Sequence, residues 1–376
     1  MKNKHVSRKV PAISRRKRFR QCLTPWFARH QRRLPWRQTR DPYGIWVSEV
    51  MLQQTQVATV INYYNRFMRH FPDIANLAAA DLQSVLQIWQ GLGYYARARN
   101  LRHAVGCLVA EGKHSVPNDP AAFRQLKGVG DYICAAVQSI AFGHRLAAVD
   151  GNVKRVLSRL CLIDAPVNRK TAACPFDHAA QTLLAPDRPG AFNQAMMELG
   201  ALICLPRNPD CRRCPVSDFC LACQHACTAE YPKRIQKPAV PLRHQVAAII
   251  INRQQVLITR RPPTGLLGGL WEFPGDRISA ETDPKNGCIQ IIDRQLNLRI
   301  AVDRPIARVR HAYTHFKVII DAFGCHVLGG GIKLDGPSDY AWISLDQIND
   351  YPMSRANQKI ACSLTADALS ALPNHA

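Results

Sequence analysis

The chain has 376 residues, 47% of them hydrophobic, and a formal net charge of +23. That length accommodates two packed domains with separate cores, and no apolar run comes near the ~18 residues that span a bilayer, so a helix-spanning membrane protein is excluded. The charge points to polyanionic partners, nucleic acid first among them; the 14 cysteines come without a secretory apolar stretch and read as metal ligands where they cluster, not as a disulfide framework.

Residues 1–20 are rich in Lys and Arg and contain no Asp or Glu. Charge density alone predicts a disordered, phosphate-binding arm, and an organellar address is the other use of such a segment. Residues 21–230 show helical periodicity and few candidate strands, which predicts a mainly α domain. Within it, "WVSEVMLQQTQVATVINYY" (46–64) reads as helix and carries Glu49, which on its own would pass for a solvated helix position. "GLGYYARARN" (91–100) is a glycine-flanked turn offering Leu92 and Tyr94, with Arg97 and Arg99 beside them.

"FRQLKGVGDYICAAVQSIAFG" (123–143) reads as helix, tight turn and helix. Gly128 and Gly130 permit the turn and a close backbone approach, and the free N–H groups opening the second helix suit an anion such as phosphate. "AAVDGNVKRVLSRL" (147–160) places Asp150 just ahead of another helix, where it or Asn152 serves as an N-cap or as a reactive carboxylate facing a groove. In "CLPRNPDCRRCPVSDFC" (204–220), Cys211 and Cys214 form a CxxC pair that Cys204 and Cys220 close from either side. Four thiolates in so short a loop suit a cubane iron–sulfur cluster, with zinc as the other soft-metal reading; Cys223 and Cys227 are left over.

A proline-rich basic stretch, 231–244, reads as a linker. Beyond it, short β-type runs at 246–251, 255–261 and 317–323 predict an α+β domain over 245–376.

With these motifs in place, the chain resembles the helix-hairpin-helix DNA glycosylase superfamily, in its MutY-type adenine glycosylase branch. "SEVMLQQTQV" resembles the helix of that branch that carries the general acid, the turn-and-Asp arrangement its catalytic carboxylate, and "GLLGGLWEFPGD" (265–276) the opening of a Nudix domain. The resemblance implies a helix-hairpin-helix catalytic domain with a 4Fe-4S loop held by Cys204, Cys211, Cys214 and Cys220, followed by a Nudix-like domain. It implies Glu49 as the acid that protonates the leaving purine, and Asp150 as the carboxylate that meets oxocarbenium charge, with Tyr132 and Asn152 beside them. Strand-cleaving relatives carry Lys where this chain has Tyr132, so water-only base removal is expected. Gln54, Leu92, Tyr94, Gly128 and Gly130 are implied to grip and pry the duplex. Arg32, Trp36, Leu52 and Gln194 are implied to line an adenine pocket, and Tyr313, Thr314 and His315 of "HAYTHF" to read 8-oxoguanine.

The stretch "IQIIDRQLNL" (289–298) has one Asp and no Glu where Nudix hydrolases hold metal, so recognition rather than hydrolysis is expected of that domain. The partner expected is double-stranded DNA with adenine opposite 8-oxoguanine. A monomer, a cytoplasmic location and hand-over of the product to an abasic-site endonuclease complete the expectation. Two other readings share part of the pattern: an endonuclease III-like glycosylase/lyase for oxidised pyrimidines, and a DNA-damage-binding protein without turnover.

Overall fold

The structure, a computed structural model, describes residues 13–169, 175–236 and 238–364. These divide into two compact units: residues up to Ala79 with 100–236, and Ala80–Arg99 with the chain from Pro238 on. In chain order the helices are α1 (Ile13–His30), α2 (Pro42–Leu52), α3 (Val57–His70), α4 (Ile74–Ala79), α5 (Leu82–Trp89), α6 (Ala96–Ala110), α7 (Pro120–Gln125), α8 (Asp131–Phe142), α9 (Gly151–Cys161), α10 (Pro175–Leu183), α11 (Pro189–Leu202), α12 (Leu221–Gln224), α13 (Pro284–Leu296) and α14 (Arg355–Ala361). Among the described residues, no helix is long and apolar enough to cross a membrane.

The first unit is helical. Asp41 starts α2 by accepting N–H bonds from Tyr43 (3.1 Å) and Gly44 (2.9 Å), with Pro42 in the first helical position, where its missing N–H costs nothing. Every residue of α2 from Tyr43 to Met51 is buried, the mark of a central helix, not a surface one. Around it, α8 runs from a glycine N-cap to Gly143, whose φ of 77° ends the helix in the left-handed region that favours glycine. The larger core joins Phe19 and Leu23 of α1, Val153, Val156, Leu157 and Leu160 of α9, and Phe192, Met196 and Leu199 of α11. Phe219 from the cysteine loop meets Phe19 edge-on at 5.6 Å.

That packing corrects the boundary expected for the basic arm. Residues 13–20 belong to α1, because Phe19 is wholly buried and the Arg20 Nε donates to the Leu183 carbonyl at 2.8 Å; residues 1–12 lie outside the described residues.

Among its described residues, the second unit holds a sheet of seven strands: β1 (Leu242–Asn252), β2 (Gln255–Arg260), β3 (Trp271–Glu272), β4 (Arg277–Ile278), β5 (Leu298–Ala312), β6 (Lys317–Gly330) and β7 (Asp339–Ile343). Its order is β3-β2-β1-β6-β5, with β4 on β1 and β7 on β2. The expected runs fall in β1, β2 and β6, and β1 begins at Leu242, inside the stretch read as linker. Strands β1 and β6 pair in parallel. On one face Ile291, Ile292 and Leu296 of α13 pack against Val246, Ala248 and Ile250; on the other, Ala356 and Ile360 of α14 pack against Ala247 and Ile249. Residues 80–99, expected in the helical domain, fall in this unit: the Trp271 indole N–H donates to Gln83 Oε1 at 2.9 Å, and the Gln83 amide to the Gly269 carbonyl at 3.0 Å.

At the start of α11, a Cβ on Gly190 would lie 2.5 Å from the Ser139 carbonyl oxygen and 2.7 Å from the Ile140 Cα. Both are backbone of α8 and cannot swing aside. Gly190→Ala is therefore expected to cost about 1–3 kcal/mol, seen as a lower denaturant midpoint with the slope unchanged; an unaltered midpoint would show that α8 and α11 can part freely.

Candidate active site

Glu49 lies near the end of α2 and is 5% exposed. The Tyr132 hydroxyl, from the first turn of α8, donates to its Oε2 at 2.5 Å and also lies 3.3 Å from the Met197 Sδ. Burial pushes the Glu49 carboxyl up to about 7; the Tyr132 bond opposes this, the Asp150 charge adds to it, and Arg37 opposes it again. Glu49 therefore keeps its proton near neutrality, where an exposed glutamate would not. Tyr132, raised well above the ordinary phenol range by burial and by the Glu49 charge, stays a donor.

Asp150 is the N-cap of α9. Its Oδ1 accepts the Val153 N–H at 2.7 Å and its Oδ2 the Asn152 amide at 2.9 Å. Burial raises the Asp150 pKa, against the bonds from Val153 and Asn152 and the charge of Arg155. A carboxyl with two donors aimed at its oxygens and a helix N-terminus beneath it is built to be an anion. The site thus holds a buried acid that keeps its proton near neutrality beside a second buried carboxyl supplied with two hydrogen-bond donors, two unlike environments of the kind that acid–base work uses.

A relay of bonds runs from Asp150 into the cysteine loop. Asn152 Oδ1 accepts from Arg155 Nη2 at 2.8 Å, which also donates to the Gly200 carbonyl at 2.7 Å, while Arg155 Nε donates to the Cys204 carbonyl at 2.8 Å. A Cβ on Gly200 would meet the Asn152 Cβ at 2.6 Å, so glycine there is what lets α11 close on Asn152. One turn on, Arg159 is 2% exposed and donates to the Cys204 Sγ (3.3 Å) and to the carbonyls of Leu205, Pro206, Thr228 and Tyr231 at 2.6–3.1 Å.

Cys204, Cys211, Cys214 and Cys220 are all partly buried. Burial, with the neighbouring cysteines adding to it, pushes Cys214 up to about 12 and Cys220 up to about 11, so the thiols bear on one another. Among the described residues, no group of three or more His, Cys, Asp or Glu is arranged to hold a metal ion. Cys223, set aside in the sequence, stands at CxxC spacing after Cys220, and its backbone N–H donates to the Cys220 carbonyl at 3.1 Å. That second CxxC pair was the available signal.

The expected duplex-gripping residues fall in two places. In the first unit, Gln54 is exposed at φ 57°, and Gly128 takes φ 88° against the Asn100 side chain, where a Cβ would be 2.8 Å away; Gly130 caps α8. In the second unit, Tyr94 is 39% exposed at φ 50° and its hydroxyl shares a hydrogen bond with Thr314. Leu92, expected to be a wedge, is 6% exposed: its N–H closes the turn on the Trp89 carbonyl and its side chain is packed inward. Tyr313, Thr314 and His315 form the β5–β6 turn, with Thr314 and His315 exposed and the Tyr313 ring tilted against that of Phe316 at 4.8 Å.

Of the expected pocket residues, Trp36 is buried edge-on against Tyr64 at 5.3 Å. Leu52 and Gln194 are half-buried. Arg32, with Arg37, forks onto the carboxylate of Glu198 at 2.7–3.0 Å, the pairing that a buried acid requires. Glu198 and Arg37 carried no sequence signal, being 161 residues apart.

A sequence profile described as HhH-GPD superfamily base excision DNA repair protein matches residues 47–173, which span Glu49, Tyr132 and Asp150, and a NUDIX domain profile matches 246–362. The chain is 33% identical to the adenine DNA glycosylase of Homo sapiens, over 95% of this chain and 75% of that one. The chain belongs to the adenine DNA glycosylase family. It is accordingly an enzyme of the DNA glycosylase class. The family's Arabidopsis thaliana member is 38% identical, over 91% of this chain and 64% of its own. A solved structure of a thermostable thymine-DNA glycosylase covers 56% of this family member and 98% of itself, with a TM-score of 0.52 and 29% identity.

Burial alone would raise Glu198, but the bonds from Arg32 and Arg37 win and bring it down to about 2. A lowered folded pKa stabilises above the unfolded value, here 4.5, and that stability is lost as pH falls toward 2. Glu198→Gln, which leaves two partly buried arginines short of charge, is expected to cost about 1–3 kcal/mol at neutral pH. The gap from wild type should shrink as pH falls through that window; a gap independent of pH in acid denaturation would refute the ion-pair assignment.

Proposed function

We propose that the protein hydrolyses the N-glycosidic bond of adenine paired with 8-oxoguanine, or with guanine, in double-stranded DNA, and leaves an abasic site without cutting the strand. The observation that carries this is the unlike pair: a buried Glu49 bonded to a phenol, and an Asp150 bonded to donors. Adenine leaves readily only when protonated, and the sugar left behind is oxocarbenium-like. Glu49 gives its proton to the purine ring nitrogen, the bonding electron pair departs with the base, and Asp150 faces the developing positive charge. Water then adds to the anomeric carbon and gives its proton to the Glu49 carboxylate, which restores the starting state.

Tyr132 supports hydrolysis over lyase chemistry, since a Schiff base needs an amine and the side chain bonded to Glu49 has none. The exposed turn of Tyr313, Thr314 and His315 supports lesion reading by the Nudix-like unit, whose α13 carries Asp293 and no Glu. Gln54 and Tyr94 are exposed non-glycine residues held at positive φ, a strained arrangement that collects at functional sites and fits residues that enter an opened duplex.

The loop cysteines suit a 4Fe-4S cluster held by Cys204, Cys211, Cys214 and Cys220. The thiols of Cys214 and Cys220, which burial and their neighbours keep protonated, need a strong positive centre to ionise, and Arg159 already directs an N–H at the Cys204 sulfur. When bound, the cluster supplies structural closure of the loop.

The test is single-turnover excision on duplexes with adenine opposite 8-oxoguanine. Strand breaks are expected only after alkali, with Asp150→Asn slowed by about 10³-fold while binding persists; breaks before alkali would establish a lyase. The rate should fall with rising pH above about 7, because Glu49, raised to that value by burial, acts in its protonated form. Tyr132→Phe removes the bond that favours ionised Glu49, so this alkaline limb should move to higher pH. A limb that stays put, or moves down, would mean that Glu49 is not the titrating acid.

A further inference from the structure

Residues 144–149, which lead into Asp150, form neither helix nor strand, and among the described residues of the first unit no strand runs beside them. The segment is nevertheless held as a strand would be. Leu146 and Ala148 pack against Ala136 and Tyr132 of α8, whereas Ala147 and Val149 pack on the larger core, the two-residue alternation of an extended chain. Its backbone partners come from two side-chain amides. Gln181 of α10 accepts the Ala147 N–H at 3.0 Å and donates to the Arg145 carbonyl at 2.8 Å. Asn193 of α11 accepts the Ala148 N–H at 3.1 Å and donates to the Leu146 carbonyl at 2.8 Å. Each amide takes the carbonyl of one residue and the N–H of the residue two further on, as one residue of a parallel strand would. The bonds of Gln181 are exposed, where water competes for them. Asn193 is 2% exposed, and its second amide hydrogen goes to the Ser139 hydroxyl of α8 at 2.8 Å. Its oxygen and both its N–H groups are thus engaged, and an amide is the side chain that offers acceptor and donor side by side.

We propose that Asn193 is a positioning residue for base excision, setting the register of the segment that delivers Asp150. The inference rests on the reading of Asp150 as the carboxylate that faces the sugar. Val153 and Asn152 orient that carboxylate from the helix that follows it; Asn193 fixes the chain that enters from the other side, at Ala148, two residues ahead. A slip of one residue would exchange the faces of Leu146 and Ala147, and a far smaller shift suffices, since a misplacement of about 1 Å costs about 10²-fold in rate. Asn193 acts through the main chain, so its loss is felt in the chemical step and not in the hold on DNA.

The test is single-turnover excision of adenine opposite 8-oxoguanine by the full chain at saturating enzyme. Duplex affinity is read by fluorescence anisotropy, and the active fraction by the product burst. Asn193→Ala is expected to bind the duplex within about twofold of wild type and to excise about 10²-fold more slowly. Added to Asp150→Asn, it should slow that variant by no more than about twofold, because a charge already removed cannot be displaced. An Asn193→Ala rate equal to wild type would overturn the positioning role, as would a double variant slower than Asp150→Asn by the full hundredfold, the mark of a general loosening. Asn193→Ser, which keeps one hydroxyl for the segment, should fall between Asn193→Ala and wild type, and its combination with Asp150→Asn decides the same question where Asn193→Ala does not fold. A wild type that leaves adenine in place, or an Asp150→Asn variant as fast as wild type, would instead overturn the proposed function and this inference with it.

Discussion

Glu49 sits in a helix buried from Tyr43 to Met51, and what meets its carboxyl at hydrogen-bond distance is a phenol, not a cation. Much of the first unit can be understood as arranging that single desolvation. Arg37 lies near enough to be felt by Glu49, yet its guanidinium is committed to both oxygens of Glu198. Two buried glutamates in one unit are therefore driven in opposite directions, Glu49 up to about 7 and Glu198 down to about 2, by the presence or absence of arginine at the carboxylate. The cost is carried in stability. Between pH 4.5 and about 7 the folded Glu49 holds a proton that the unfolded chain has released, so its contribution to stability is largest below that window and fades as pH rises through it.

The second carboxylate is managed through the backbone. Its donors come from Val153 and Asn152, within three residues, and Asn152 is steadied from behind by Arg155 and by the space that Gly200 leaves open. Because Arg155 and Arg159 finish on the cysteine loop, α9 carries the reactive carboxylate at one end and the loop's anchors along its side. Arg155 and Arg159 fall four residues apart, on one helix face; that spacing is how one helix serves both.

What the sequence made legible was local. Glu49, Tyr132 and Asp150 stand in short stretches whose neighbours declare helix, turn and cap, and the cysteine spacing is visible without any fold. The Glu198 pairing and the arginine anchors were not, since they join residues 45 to 166 apart and many of the acceptors are backbone carbonyls, which no residue type marks. Strand β5 was hidden for another reason: register shifts at Arg299/Ile300, Val302/Arg304 and Pro305/Ala307 break the two-residue alternation on which strand recognition rests. Helix α5 lies in the stretch expected to belong to the helical domain but falls in the second unit. Val85, Leu86 and Trp89 announce a buried face, and an apolar stripe does not say which core it joins.

Asp150 shows why a capping role and a catalytic role need not compete. Capping α9 fixes the carboxylate's position and gives Oδ1 its donor, and a helix N-terminus stabilises negative charge placed there. Burial pulls the other way and keeps the anion poorly solvated, ready to respond to positive charge that appears in front of it. Asparagine caps a helix about as well as aspartate, so exchanging one for the other preserves α9 while removing the charge. The cap belongs to the fold and the charge to the chemistry, although the same three side-chain atoms provide both.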